Sequence, residues 1–181
     1  VVPFEPATDK LLLLDLTAAN TALTDELLGN ASLFSAYINK ELEQAGARYG
    51  IGGYGEHRTV YRFSKVFDGD NKGEEPRRLH LGTDIWGKPH TAVMAPSDGI
   101  IHSFAFHNNP GAYGTTIILA HRAAGIPAEN GQWPPHLHFQ IIAGIGEWKG
   151  DYPGVCKFSE KDIWMNNCPD PDIILQLNQY L

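Results

Sequence analysis

Between residues 30 and 46, apolar side chains recur every three or four positions: Leu33, Phe34, Tyr37, Ile38 and Leu42. That spacing gathers them on one face of an α-helix, which predicts a helix packed against a core. Asn30 or Ser32 can cap its first turn, and Gly46 suits the left-handed residue that ends it. Earlier in the chain, Leu11–Leu14 is apolar but too short to show a period. It fits a buried strand or the first turns of a helix.

After Gly46 the texture changes. The cluster Gly50-Ile51-Gly52-Gly53-Tyr54-Gly55 interrupts the pattern and reads as a loop. Beyond it, Thr59–Phe63, Ile100–Phe106 and Thr115–Leu119 alternate as strands do. Turn-forming residues separate these runs, at 68–71, 96–99 and 108–111. Strands and helices do not alternate, which argues against a doubly wound parallel sheet. From Gly150 the chain reads as an irregular wrap, closed by a short helix at 172–177. The expected fold is α+β: a helical N-terminal extension over residues 1–56, packed on a mostly antiparallel β core over 57–181.

Composition narrows the function classes. The 181 residues suit one domain with a short extension, and 43% hydrophobic with 19% charged is ordinary for a globular chain. The net charge is −7, and apart from Arg77-Arg78 the cations are scattered. Nucleic acid and anionic membrane surfaces are bound through basic patches, so neither is expected as the main partner. No stretch is long and apolar enough for membrane insertion. The opening Val1–Pro6 has neither a basic region nor a small-residue cleavage site, so no signal peptide is expected in it. A processed periplasmic or secreted form would lack one too, so the compartment stays open, as does the oligomeric state. Cys156 and Cys168 are too few for a disulfide framework and belong to no Cys-x-x-Cys pair.

Two histidine motifs carry the chemistry. In His136-Leu137-His138 the histidines are two apart, so on a strand they share a face. Pro135 presets an extended entry, and Leu137, Phe139 and Ile141 fall on the opposite, apolar face. In His80-Leu81-Gly82-Thr83-Asp84 the His and Asp are four apart, with Gly82 favouring extended chain that something approaches closely. Two imidazoles and one carboxylate form an open three-ligand set with a position left for water or substrate. His57, His90, His102 and His107 have no ligand spacing and read as surface or core residues, with His57 a further candidate to line the cleft.

The order of the motifs adds a resemblance. His80–Asp84 is followed by Gly87-Lys88-Pro89, Ala95–Ile100, Tyr113-Gly114, Ile118–His121 and Pro135–Phe139. This series, over roughly 78–142, resembles the lysostaphin-like or LytM-type zinc endopeptidases. The flanks Tyr54–Arg58 and Cys168–Pro171 look like a branch found alone or within fused aminotransferase polypeptides. The resemblance implies a LytM-like β-sandwich, a Zn2+ ion held by His80, Asp84 and His138, and His136 as a catalytic histidine near the metal. It also implies hydrolysis of peptide bonds, in glycine-containing cell-wall (peptidoglycan) peptides. The chain departs from the family in one place. Tyr-x-His-Leu, which carries the family's second catalytic histidine, is absent. His121–Pro127 instead runs almost directly into the last strand, so that histidine is lost or lies in a segment missing between His121 and Pro127, the latter being expected. Two other readings remain open: a zinc-stabilised binding or regulatory module, and a cupin-like iron or manganese enzyme.

Overall fold

A computed structural model describes residues 1–68, 71–107, 114–120 and 136–181. The stretch between His121 and Pro127, where a missing segment was expected, the turn expected at 108–111, and residues 69–70 of the turn expected at 68–71 lie outside the described residues. The fold is mixed α+β, with sheets that are mainly antiparallel and few helices.

Its centre is a four-stranded sheet in the order β1 (Leu11–Leu14), β2 (Tyr49–Gly52), β4 (Thr83–Trp86) and β7 (His136–Phe139). Leu11–Leu14 is thus a strand. It pairs parallel with β2, while β2–β4 and β4–β7 are antiparallel. A parallel pair needs a crossover, supplied by α1 (Asp25–Leu28) and α2 (Ala31–Ala45). Among the described residues, strand–helix–strand alternation therefore does occur within the first 52, and this four-stranded sheet draws strands from both 1–56 and 57–181. Among the described residues there are also two smaller ladders. One pairs β3 (Leu79–His80) with β8 (Val155–Cys156); the other pairs β5 (Ile100–His107) with β6 (Gly114–Ala120).

Helix α2 forms for the expected reasons. The Asn30 side chain accepts from the Ser32 and Leu33 amides, and Gly46 ends the helix at φ 61°. Phe34 and Ile38 are buried, whereas Leu33 is 43% exposed, so the buried stripe is narrower than the periodicity implies. Two expectations need correcting. Gly50 and Gly52 belong to strand β2, because a Cβ at either would strike Leu14 or Arg58 and Trp86; glycine here marks close approach, not a break. Thr59–Phe63 is a 3-10 helix, not a strand, and its neighbouring Val60 and Tyr61 both turn into the core. The C-terminal wrap is more regular than expected, with α3 (Lys161–Asn167) and α4 (Asp172–Leu175). Both cysteines are buried free thiols. No helix among the described residues is long and apolar enough to cross a membrane.

Register gives the central sheet two unlike faces. Asp84 pairs with His138, Trp86 with His136, and Gly52 with Asp84, so these residues share one face. Leu14, Phe34, Ile38, Val60 and Tyr61 cover the Trp86 end of it. Tyr49, Ile51, Ile85 and Leu137 form the other face, closed by Val2, Phe4 and Leu177.

Candidate metal centre

Four predicted residues meet at one end of the first face. His80 ends β3, and the chain then bends through Leu81-Gly82 to bring Asp84 onto β4. The two residues therefore sit in different sheets rather than along one strand. Gly82 is required for the approach: a Cβ there would lie 2.5 Å from His138 Cε1 and 2.7 Å from the Phe139 carbonyl oxygen.

Three side-chain atoms converge. His80 Nε2 lies 2.9 Å from His138 Nδ1 and 3.3 Å from Asp84 Oδ1, and His138 Nδ1 lies 2.9 Å from Asp84 Oδ1. Tetrahedral ligand atoms at zinc–nitrogen distances would be about 3.3 Å apart, close to these separations. His80, Asp84 and His138 thus form a group able to hold a metal ion. The donor set fits one, because a carbonyl can only accept: His80 Nδ1–H must donate to Gly53 O at 2.9 Å, leaving Nε2 bare toward the centre. His80 and Asp84 are 0% and 2% exposed.

His136 stands beside the group. Its Nε2 lies 3.8 Å from Asp84 Oδ2, and its ring stacks on the Trp86 indole at 4.2 Å between centroids. Trp86 in turn packs edge-on against Phe34, so the helix that fills the core also backs His136. His136 borders a cleft of about 310 Å3, lined also by Tyr49, Lys88, His90, Thr91 and Val93. His90 lies in that cleft with a left-handed φ of 65° in the turn after Pro89. The sequence assigned it no role. His57, a candidate for the cleft, is instead exposed and packs on Phe158.

Arg58 lies in the flanking stretch Tyr54–Arg58, where the sequence alone points to no role for it. It is 2% exposed, donates through Nη1 to Asp84 Oδ2, and donates through Nε to Glu56 Oε2 at 2.7 Å. Glu56 is anchored by the Leu16 amide at 2.8 Å. Gly52 makes room for the guanidinium, since a Cβ there would lie 2.7 Å from Nη2. Burial, and next the Arg58 charge, lower the His80 pKa to about 4. Burial alone would raise Asp84, but His80 and Arg58 outweigh it and hold the carboxyl well below its usual range. His80 is neutral above that value, so at neutral pH Arg58 rather than His80 supplies positive charge to hold Asp84 ionised. Comparison of the chain with protein-family models, characterised proteins and solved structures found no match.

Proposed function

We propose that the protein is a zinc-dependent metalloendopeptidase of the lysostaphin-like kind, acting on peptide bonds in glycine-containing cell-wall peptides. The observation that carries this reading is the convergence of His80 Nε2, Asp84 Oδ1 and His138 Nδ1 within 2.9–3.3 Å of one another. Zinc is preferred over magnesium because two of the three donors are imidazoles. When bound, zinc lowers the pKa of a coordinated water and polarises a carbonyl.

The protein's own residues supply the rest. Arg58 takes one oxygen of Asp84, leaving the other to face His80 and His138. Asp84 stays ionised across the neutral range. The Trp86 indole holds the His136 ring in a fixed plane, with the imidazole edge toward both Asp84 and the cleft. A neutral imidazole so placed can take a proton from an attacking water near pH 7 and return it to the leaving amine. The chain has no His-Glu-x-x-His, so no glutamate base stands in the usual place. The cleft beside His136, about 310 Å3, is of the size that small ligands and short peptide segments occupy.

The absence of Tyr-x-His-Leu favours a second reading, a zinc-containing binding module. Mutation separates the two. His136→Ala should keep the metal but slow hydrolysis of a glycine-containing cell-wall peptide by ~100- to 10,000-fold. No cleavage by the zinc-loaded wild type across a panel of such peptides would favour the binding module. Cleavage unaffected by His136→Ala would remove His136 from the mechanism.

A further inference from the structure

Gln140 is two residues beyond His138, on the same side of the chain, and 2% exposed. Its Oε1 lies 3.1 Å from His138 Nε2, while its amide nitrogen donates to Pro153 O at 3.2 Å and Cys168 Sγ at 3.1 Å. We propose that Gln140 is a positioning residue that holds His138 as the Nε2–H tautomer and thereby commits its Nδ1 lone pair to a metal. This inference rests on the metal-binding reading of the site.

The amide's orientation is settled at its far end. Pro153 O can only accept, so the NH2 group must face it. Turning the amide over would set two oxygen acceptors 3.2 Å apart with no hydrogen between them, and would leave the Pro153 carbonyl without this donor. The Cys168 thiol both donates and accepts, so it does not discriminate. Oε1 therefore faces His138, and the hydrogen between them must come from Nε2. A neutral imidazole carries one N–H, which leaves Nδ1 bare.

The consequence is local and specific. With Gly53 O holding the Nδ1–H of His80, the centre presents His80 Nε2, His138 Nδ1 and Asp84 Oδ1, three acceptors with no hydrogen between them. Such an arrangement is repulsive until a cation joins it. With His138 in the other tautomer, Nδ1–H would donate to Asp84 and the same side chains would form a self-satisfied hydrogen-bonded triad. Gln140 decides between the two states. Partners of this kind orient metal-binding histidines, and their loss typically costs 10- to 100-fold in affinity.

The test is tautomer-sensitive 1H–15N spectroscopy on the 15N-histidine-labelled, metal-stripped full chain, held at a pH where its histidines are neutral, beside zinc affinity measured by chelator competition. Wild type should show His138 as Nε2–H. Gln140→Ala should shift it toward Nδ1–H and weaken zinc by about 10- to 100-fold. Gln140→Glu, whose carboxylate only accepts, should keep the His138 tautomer even though its second oxygen then faces the Pro153 carbonyl. His138 found as Nδ1–H in wild type, or unchanged tautomer and affinity in Gln140→Ala, overturns the proposal. If Gln140→Ala does not fold, the wild-type tautomer alone decides it. A wild type with Nε2–H that binds no zinc would instead overturn the metal reading and leave the tautomer assignment standing.

Discussion

The two faces of the central sheet are built from the same strands yet follow different rules. On one face Ile51, Ile85 and Leu137 stack across three strands and close against apolar residues from both ends of the described chain. On the other, Gly52, Asp84 and His138 occupy equivalent rungs, and a buried arginine lies against them. The apolar face gains stability from area, at about 25 cal/mol per Å2, and tolerates exchange of similar shapes. The polar face depends on each donor meeting its acceptor, and an unpaired charge there costs several kcal/mol. Strand alternation lets adjacent residues serve both ends, as Leu137 does between His136 and His138. A one-residue slip of β7 would exchange the faces and destroy both.

The largest expected effect separates stability from metal binding. Leu137→Ala removes a buried side chain from the apolar face and should cost about 2–5 kcal/mol in denaturant unfolding. Its zinc stoichiometry, measured on the folded fraction, should be unchanged. Loss of zinc together with stability would mean that the faces are not separable.

The next effect is that of pH, which should act on the polar face alone. His80 falls from 6.5 in the unfolded chain to about 4 in the folded one. Between these values the unfolded chain binds a proton that the folded chain refuses. Stability is therefore complete above pH 6.5 and declines as pH falls toward 4. At about 1.4 kcal/mol per pH unit, the metal-free protein should lose roughly 3 kcal/mol across that window. Asp84 adds its own loss only below its ordinary value of 3.8. Unfolding free energies that stay level from pH 7 to 4.5 would contradict this.

The smallest effect on stability should come from Gly82→Ala. Its Cβ meets the His138 ring and a backbone oxygen that cannot move aside, so the cost should be about 1–3 kcal/mol. Zinc affinity should fall much more than stability, since His138 is the group displaced. Unchanged affinity would show that Gly82 is there for another reason.

What was legible in the sequence follows from how local its causes are. Helix α2 carries its cap, its stripe and its stop within seventeen residues, and all three operate. The metal group was legible because His80, Asp84 and His138 lie in two short motifs. Arg58 was not, because its partner Asp84 is 26 residues away and a buried arginine has no local signature. Strand β2 was hidden by its own glycines, which look like a break until the side chains pressing on them are known. Gln140 was within reach: it continues the parity of His136 and His138, and a polar residue on that face is a natural partner for a ligand.

The most direct test of the central claim is the metal content of wild type and His138→Ala, both purified without added metal. His138 is only partly buried, so its removal should spare the fold. Wild type should carry about one zinc per chain and His138→Ala essentially none. A wild type without zinc, or a variant that keeps its full complement, would contradict the assignment of His80, Asp84 and His138 as a zinc centre.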